Sequence, residues 1–357
     1  MSDLKSKKRK TNGGLAIAAG PDQTSKVVNT AKPSAVFQPK GPRNFTLSIA
    51  LPGSIIANAV THDQKTALAG QIARACAVFC VDEIVVFDDG QAETRPPENG
   101  GYTAFADPNF FLFHILSYLE TPPHLRKALF PMHPDLRTAG ALPSLDMPHH
   151  LRSDEWCLYR EGVAVGTLGR GTEPSNTLLD CGLAQQVVVP GEIEKKSRVT
   201  VKLPEQPSRD GGYLKGEAVA PDSPRREAGY YWGYDVRQAE SLSAVFTECP
   251  YDGGYDISIG TSERGSVASS ILHPGCNSYV EPTWNHLLVV FGGVAGLEAA
   301  LLVDEELKST GVKDIRDVFD RLVNCAHGQG SRTIRTEEAV WIGLTVLKPL
   351  VEAREDF

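Results

Sequence analysis

The sequence predicts an α/β protein in which a parallel sheet is interrupted by a small antiparallel β-barrel. Two observations predict the sheet. A strand–helix–strand pattern spans residues 46–87, and short apolar strands followed by small, polar loops recur near the C-terminus. A third observation predicts the barrel, because short β-like runs alternate with Gly, Pro, Ser and Asn between residues 155 and 234.

The first part of the sheet is predicted from residue periodicity. Thr46–Leu51 alternates as a strand does, Thr61–Cys80 carries apolar residues at helical spacing, and Ile84–Phe87 is a short apolar strand. A second helix is predicted over Pro108–Leu119, and the following Pro122-Pro123 ends it. These elements form one β–α–β unit with an extra helix.

Five strands are predicted in the barrel, and a helix is predicted over Val236–Val245 where the sheet resumes. The predicted domain boundaries are therefore 1–44 for a tail, 45–154 for the first part of the sheet domain, 155–234 for the barrel and 235–357 for the second part. The barrel strands are Trp156–Tyr159, Gly162–Val165, Gln186–Val189, Arg198–Leu203 and Tyr230–Tyr234.

Three strand-end loops in the C-terminal part indicate a ligand site. They lie in Tyr255–Gly265, His286–Glu298 and Asn324–Ala339, with strands predicted at Ile257–Ile259 and Leu287–Phe291. In open α/β sheets, ligands bind at the carboxyl ends of the strands. The third loop leads into a helix, for which Thr336 is the predicted N-cap and Glu337 and Glu338 fill the first turn.

Composition limits the class of protein. With 357 residues and 41% hydrophobic residues, the chain can bury a sizeable core. No apolar run approaches the length of a membrane span. The seven cysteines show no zinc spacing and fit a reducing compartment. The net charge is −8, of which residues 1–10 contribute +4 and the remainder −12, so any nucleic-acid surface must be a local patch.

The N-terminal 44 residues are rich in Lys, Ser, Thr, Gly and Pro, and they are predicted to be disordered. The run Lys5–Lys10 (KSKKRK) has the composition of a nuclear or nucleolar address, or of a basic arm on RNA. A solvated tail without a role is the alternative. We expect a nuclear, nucleolar location.

The combination of IGTSERG, HLLVVFGGVAGLE and NCAHGQGSRTIRTEEA resembles the SPOUT superfamily of RNA methyltransferases, in the branch with an inserted OB-like domain. Further similar segments are LSIALPGSI, QIARACAVFCVDEIVVFDD, YLETPPHLRKALFP and GALPSLDMPHHLR. The resemblance covers most of the chain from about Phe45 onward. It implies a C-terminal trefoil knot, an S-adenosylmethionine cofactor, a homodimer and an RNA substrate, without a metal ion.

The resemblance also implies the site residues. The cofactor is expected to be held by three loops, and the contacts carried over are Thr261, Arg264, Gly292, Gly293, Asn324, Cys325, Gly330, Ser331, Thr333 and Ile334. The resemblance further implies that the methyl acceptor is a ring nitrogen of a uridine in large-subunit ribosomal RNA. Removal of the uridine proton then needs a carboxylate or a cation.

Candidates for this chemistry are the cations Arg332 and Arg335 and the carboxylates Glu263 and Glu337, among which the sequence does not choose. Arg74 matches the arginine of the first motif in SpoU-type relatives, and it is a candidate on the substrate side. Its alternative interpretation is a helix-edge arginine paired with Asp82 or Glu83. Similarly, helix capping is the alternative for Glu337.

The inserted barrel, if it resembles an OB fold, is expected to bind single-stranded nucleic acid. Aromatic residues would stack on bases and cations would line a groove, although ordinary core packing explains many of the aromatics. The candidates are Trp156, Tyr230, Tyr231 and Trp232, with Lys195, Lys196, Arg198 and Lys202. Two rival functions remain: a non-catalytic scaffold with the same fold, in ribosome assembly or at the spindle, and an oxidoreductase with a nucleotide-binding sheet.

Overall fold

The computed structural model describes residue 39 and residues 41–97, 100–169, 175–205 and 212–355. The tail predicted over residues 1–44 therefore lies almost entirely outside the described residues. The described strands are β1 (Thr46–Pro52), β2 (Glu83–Phe87), β3 (Tyr159–Leu168), β4 (Asn176–Asp180), β5 (Val187–Pro190), β6 (Arg198–Lys202), β7 (Leu214–Lys215), β8 (Glu217–Val219), β9 (Asp235–Ala239), β10 (Ile257–Val267), β11 (His286–Val290) and β12 (Arg321–Asn324).

The described α-helices are α1 (His62–Val78), α2 (Pro108–Glu120), α3 (Pro123–Leu129), α4 (Ser223–Ala228), α5 (Leu242–Thr247), α6 (Ser269–Leu272), α7 (Leu297–Val303), α8 (Glu305–Ser309) and α9 (Thr336–Glu355). Short 3-10 turns follow β1 at Gly53–Asn58 and precede strand β3 at Pro134–Leu136 and Ala139–Ala141. The predicted α/β class is confirmed, with a parallel sheet and a second, curled sheet.

The parallel sheet has six strands in the order β12-β10-β11-β1-β2-β9, and every neighbouring pair is parallel. The central strand β1 is buried along its whole length, as a strand covered on both faces must be. One apolar cluster, with α1, α2 and α9, covers one face, and a second, with α5 and α7, covers the other. Because all strands are parallel, their carboxyl ends lie at one edge.

Helix α1 begins where the sequence places it. The Thr61 hydroxyl accepts the Gln64 N–H at 3.2 Å and the Gln64 side chain accepts the Thr61 N–H at 3.2 Å, which is a complete capping box. This reciprocal cap fixes the turn between β1 and α1 and thereby the direction in which α1 leaves the sheet edge.

The helix predicted over Val236–Val245 is wrong in its first half. Strand β9 occupies Asp235–Ala239 and pairs with β2, and only α5 is helical. The Arg237 guanidinium lies 2.9 Å from Glu83 Oε1 on the neighbouring strand. A cross-strand ion pair therefore holds these residues at the sheet edge, and single-chain periodicity carries no signal of it.

The second sheet curls until its two edges meet. Its order is β7-β5-β4-β3-β6-β8, and the edge strands β7 and β8 are consecutive in sequence, separated by Gly216 alone. The Gly216 N–H donates to the Val188 carbonyl at 3.0 Å. A Cβ atom at Gly216 would stand 2.6 Å from Val201 and 2.8 Å from Val187. Only glycine allows the chain to pass between Val187 on β5 and Val201 on β6.

Two predicted barrel strands are wrong. Trp156–Tyr159 is mostly irregular, with Tyr159 opening β3, and Tyr230–Tyr234 is not a strand. Instead, Tyr231 and Tyr234 belong to the core of the parallel sheet, where the Tyr231 hydroxyl donates to the Val81 carbonyl at 3.0 Å. Aromatic residues favour β-strands in sequence patterns, but here these two rings pack in the core of the parallel sheet.

An ion network with two buried carboxylates joins the curled sheet to the parallel sheet. Glu120, at the end of α2, accepts two hydrogen bonds from Arg198 on β6, at 2.6 and 3.0 Å. Arg198 also donates to Glu161 at 2.7 Å, and Glu161 accepts from Trp232 at 2.8 Å. Burial opposes ionisation of Glu120, yet Arg198 and His149 lower the pKa of its carboxyl well below the ordinary range. The charges fix the relative position of the two sheets.

The folded part begins before Phe45. The Arg43 guanidinium, within the predicted tail, lies 2.6 Å from the Asp82 carboxylate, which also accepts the Leu47 N–H at 2.9 Å. The Glu83 carboxylate forms an ion pair with Arg237. Neither acid is therefore the partner of Arg74, so the predicted pairing of Arg74 with Asp82 or Glu83 is wrong.

Candidate functional site

The carboxyl edge of the parallel sheet brings together the three predicted loops. Strands β10 and β11 are direct neighbours, and β12 flanks β10 on its other side. Strand β10 departs from regular pairing between Thr261 and Ser266, both of which face Val323. The intervening residues 262–265 therefore project from the strand end as a loop beside the other two.

The first loop is tied to its neighbours by two side-chain hydrogen bonds. The Thr261 hydroxyl donates to the Val290 carbonyl at 3.0 Å, and the Asn324 amide donates to the Glu263 carbonyl at 2.9 Å. The Asn324 side chain also accepts the Ala326 N–H at 3.0 Å. The side chains of two predicted cofactor residues, Thr261 and Asn324, thus hold the loops in register. Both residues lie at the carboxyl edge of the sheet.

The Gly292–Gly296 loop is compact and lies against a buried acid. A Cβ atom at Gly293 would stand 3.1 Å from Asp89 Oδ2, and the Ser54 hydroxyl donates to the same oxygen at 2.8 Å. Burial raises the pKa of the Asp89 carboxyl. Ser54 and Asp89 follow β1 and β2, so five strand ends contribute to this edge of the sheet.

Helix α9 starts at this loop. The Thr336 hydroxyl donates to the Gly292 carbonyl at 3.0 Å, so it does not cap the helix as predicted. The cap is one residue earlier, because the Glu338 carboxylate accepts the Arg335 N–H at 2.9 Å. The predicted capping alternative for Glu337 is therefore wrong, since Glu338 fills that role.

Glu337 is a buried carboxylate with an unused oxygen. The residue is 5% exposed, and no group in the described part of the chain donates a hydrogen bond to Oε2. Its nearest cation is Arg335, at 3.9 Å from Oε1, and the Arg335 side chain is largely exposed. A buried acceptor without a donor is costly, so this position favours a ligand that donates a hydrogen bond.

The third loop, from Cys325 to Ile334, changes from half-buried to exposed. Burial raises the pKa of the Cys325 thiol to about 11, so the thiol is neutral and serves as an apolar wall. Gly330, Ser331 and Thr333 are exposed, while Ile334 is half-buried. The Ser331 hydroxyl donates to the Thr333 carbonyl at 2.8 Å, which shapes the turn.

Three predicted cations surround these loops. Arg332 and Arg335 are exposed on either side of Ile334, and Arg264 lies 3.2 Å from Glu298 at the start of α7. The Arg264 side chain is 72% exposed. All three are free to reorient toward a polyanion, and an exposed pair such as Arg264–Glu298 adds little to stability.

Arg74 is not brought to these loops. Its Nη1 atom donates to the Ser144 and Leu145 carbonyls at 3.1 and 2.8 Å. It lies twelve residues after the start of α1, or about 18 Å along the helix. Within this chain, Arg74 therefore contacts the segment before the curled sheet.

The aromatic residues predicted for base stacking are largely structural. Tyr231 and Trp232 are buried, and Trp156 donates its indole N–H to the Pro204 carbonyl at 3.1 Å. Among the predicted groove cations, Arg198 is committed to Glu120 and Glu161, and Lys202 to Glu227 at 2.5 Å. Lys195 and Lys196 are exposed.

Two histidine clusters have structural partners. His149 and His150 both donate Nε2–H to the Glu120 carbonyl, at 3.1 and 2.6 Å. The group His114, His133 and Asp135 has its potential ligand atoms within 4.8 Å of one another. Asp135 already accepts two hydrogen bonds from Thr103, at 3.0 and 2.7 Å. This cluster therefore ties α2 to the following 3-10 turn.

Asp89 and the burial of Glu337 were not predicted from the sequence. Asp89 lies two residues after the predicted strand Ile84–Phe87, so the rule that ligands lie at strand ends could have identified it. For Glu337 no signal existed, because its burial follows from the packing of α9 against Gly292.

Across the described residues, no helix is long and apolar enough to span a membrane.

The fold and the loops define an α/β protein whose all-parallel sheet presents one ligand cradle at its carboxyl edge. The chain belongs to the family described as "Putative RNA methyltransferase", which matches residues 46–347.

Similar curated proteins support this assignment. A human 28S rRNA (uridine-N(3))-methyltransferase is 49% identical over 316 residues, which cover 87% of this chain and 80% of the human protein. The Drosophila melanogaster protein of the same name is 43% identical, over 86% of this chain and 62% of its own length. A Caenorhabditis elegans protein named "Putative methyltransferase spot-1" is 34% identical, over 83% of this chain and 78% of its own length.

Proposed function

We propose that this protein transfers a methyl group from S-adenosylmethionine to N3 of a uridine in large-subunit ribosomal RNA. The names of the human and fly relatives state this substrate for those proteins. The observation that carries the proposal in this chain is the convergence of the Thr261, Gly292 and Asn324 loops at one sheet edge. These are the loops expected to hold the cofactor.

The residues of the cradle fit the cofactor. S-adenosylmethionine carries a sulfonium and an ammonium, and Glu337 offers a buried carboxylate with an unpaired oxygen. The neutral Cys325 and the half-buried Ile334 suit an adenosine surface, and the backbone of residues 328–333 has exposed polar groups to read the adenine edge. When bound, the cofactor supplies an electrophilic methyl group.

The chain itself contributes positioning and charge. Methyl transfer is an in-line displacement, so the alignment of the two partners supplies much of the rate enhancement. Thr261, Asn324 and Thr336 lock three loops through side-chain hydrogen bonds, which keeps the cradle rigid before binding. Arg332 and Arg335 are exposed beside the cradle and stabilise the uridine anion that forms when N3 releases its proton to solvent, and S-adenosylhomocysteine is the leaving group of the transfer.

Finer features of the fold belong to the same proposal. We assign a trefoil knot to the C-terminal loops of a SPOUT-type sheet, and an OB-like barrel to the curled sheet, whose edges meet at Gly216. A homodimer completes the site, and its mass is measured by sedimentation at micromolar concentration. A nuclear, nucleolar location follows from the substrate and the basic Lys5–Lys10 run.

The test is methylation of defined RNA. Purified protein is incubated with labelled S-adenosylmethionine and large-subunit ribosomal RNA, and the nucleosides are separated by mass spectrometry. The expected product is 3-methyluridine at one position, missing from the RNA of cells that lack the protein and restored by the wild-type chain. Cofactor binding without any methylated nucleoside would indicate a scaffold instead.

A further inference from the structure

A polar cleft lies between the parallel sheet domain and the curled sheet, away from the cofactor loops. It has a volume of about 760 Å³, within the range of about 300–1,000 Å³ that is typical of small-ligand sites. Its walls come from α1, from the start of α3, from the 143–153 segment and from the turn after β4. The lining residues used below are Arg74, Asp146, His150 and Arg152.

The walls of the cleft are held in place before any ligand arrives. Arg74 Nη1 fixes the 144–145 turn through two carbonyls, at 3.1 and 2.8 Å. On the other side, His150 donates Nε2–H to the Glu120 carbonyl at 2.6 Å. Glu120 is in turn fixed by Arg198 of the curled sheet. The cleft therefore has a defined shape that depends on the joint between the two sheets.

His150 leaves one acceptor unsatisfied. A carbonyl oxygen only accepts, so Nε2 carries the ring proton and the neutral ring has its lone pair on Nδ1. Nδ1 is shielded from solvent, and no group in the described ranges donates a hydrogen bond to it. Burial lowers the pKa of His150 to about 3, so the ring stays neutral. An unsatisfied buried acceptor calls for a ligand with an O–H or N–H donor.

The charges of the cleft favour an anion. Arg74 and Arg152 oppose the single carboxylate of Asp146. Arg152 is exposed, and among the described residues its guanidinium has no hydrogen bond or ion pair. A nucleotide combines both required groups, because its phosphate is an anion and its ribose 2′-hydroxyl is a donor. That hydroxyl distinguishes RNA from DNA.

We propose that this cleft binds one ribonucleotide of the RNA substrate outside the methylation site, with the ribose 2′-hydroxyl at His150 Nδ1 and the phosphate at Arg152 and Arg74. The inference rests on the proposed RNA substrate. It assigns Arg74 to RNA positioning within its own chain. It also explains how an acidic protein recognises RNA, because recognition uses a preformed pocket and needs few cations.

The test compares binding of a short single-stranded RNA and of its 2′-deoxyuridine-containing DNA counterpart to the full-length protein. His150→Gln keeps a donor near the Nε2 position for Glu120 and removes the Nδ1 acceptor. We expect it to lower the RNA-over-DNA preference about threefold to tenfold. Arg152→Gln should weaken RNA binding and reduce the slope of log affinity against log salt by about 0.7.

Arg226→Gln is the matched control, because Arg226 is an exposed arginine on α4 outside the cleft. The inference is overturned if His150→Gln keeps the wild-type RNA preference, or if Arg152→Gln and Arg226→Gln weaken binding equally. Thermal melting identifies a loss of fold in His150→Gln. In that case the RNA affinity of Arg152→Gln, compared with Arg226→Gln, tests the inference alone.

The affinity comparison does not depend on methylation. A wild-type protein that binds RNA but transfers no methyl group would refute the proposed function and leave this comparison intact. Cleft variants with wild-type affinity, in a protein that methylates RNA, would refute this inference alone. A wild-type protein that binds no RNA refutes both.

Discussion

At the scale of single residues, Glu337 and Glu338 show how neighbouring carboxylates take different roles. Glu338 is exposed and satisfies the Arg335 N–H at the start of α9, as a helix cap does. Glu337 is turned into the protein, where its Oε2 lacks a donor among the described residues. Sequence alone treats the two acids as equivalent members of one first turn.

We predict that Glu337→Gln weakens S-adenosylmethionine binding about tenfold or more, since a charged partner of the cationic cofactor is lost. The same change should raise the melting temperature of the cofactor-free protein, because a neutral amide replaces a buried carboxylate whose Oε2 has no donor. Calorimetry measures the first effect and thermal unfolding the second. Glu338→Gln is the control, and equal affinity in both variants would contradict the assignment.

His150 makes stability depend on pH. In the folded protein burial lowers the pKa of His150 to about 3, whereas an unfolded histidine titrates near ~6.5. Between these values the unfolded chain binds more protons, so the free energy of unfolding falls as pH decreases below about 6.5. The contribution of this one group approaches about 1.4 kcal/mol per pH unit.

Urea unfolding near neutral pH and near ~5 measures this slope. His150→Gln should show a shallower loss of stability than the wild type across the same interval. His124, whose pKa burial also lowers, remains in both proteins and cancels in the comparison. Identical slopes would mean that His150 is accessible to protons in the folded state.

At the scale of elements, the joint between α2 and β6 depends on one arginine. Arg198 pairs with both Glu120 and Glu161, which are 5% and 2% exposed, and His149 Nε2 also lies 2.8 Å from Glu120 Oε1. Arg198→Ala leaves Glu161 without a cation and Glu120 with His149 alone, so we expect a loss of about 3–5 kcal/mol in the free energy of unfolding. Denaturant titration measures it. Lys202→Ala, on the same strand, removes only an exposed ion pair and should cost about 0–1 kcal/mol.

Much of the parallel sheet could be predicted because buried strands are continuous apolar runs, as in Leu287–Phe291. Strand β9 could not, since its strand character depends on pairing with β2 and on the Arg237–Glu83 contact. The loops proposed to hold the cofactor were located through resemblance. The burial of Glu337 and the cleft at His150 depend on contacts between distant segments, which local patterns do not encode.

At the scale of the whole molecule, the two sheets are joined through the ion network of Glu120, Arg198 and Glu161. The parallel sheet carries the proposed cofactor site, and the cleft lies where the curled sheet meets it. This arrangement assigns chemistry to one part and RNA positioning to the joint. The relative orientation of the parts is then a property that substrate recognition requires.

Removing the curled sheet tests this division. We predict that replacing residues 155–229 by a short linker retains S-adenosylmethionine binding, because the three loops lie outside the deletion, and removes most RNA affinity. The segment from Tyr230 onward must be kept, since Tyr231 and Tyr234 are in the core of the parallel sheet. The deletion also removes Arg198, so Glu120→Gln should accompany it to avoid a buried unpaired carboxylate.

The deletion is compared with the full-length protein, with full-length Glu120→Gln and with a chain that lacks residues 1–38. Filter binding of RNA at several salt concentrations separates the contributions. If the basic tail dominates, its removal should abolish the steep salt dependence that five Lys and Arg residues in the first ten positions produce on phosphates. If the tail is not the main RNA contact, the tail-less chain keeps its preference for RNA over DNA. Full RNA affinity in the deletion would exclude the curled sheet as the RNA platform, whereas Arg74, His150 and Arg152 lie outside the deletion and are tested by the cleft variants.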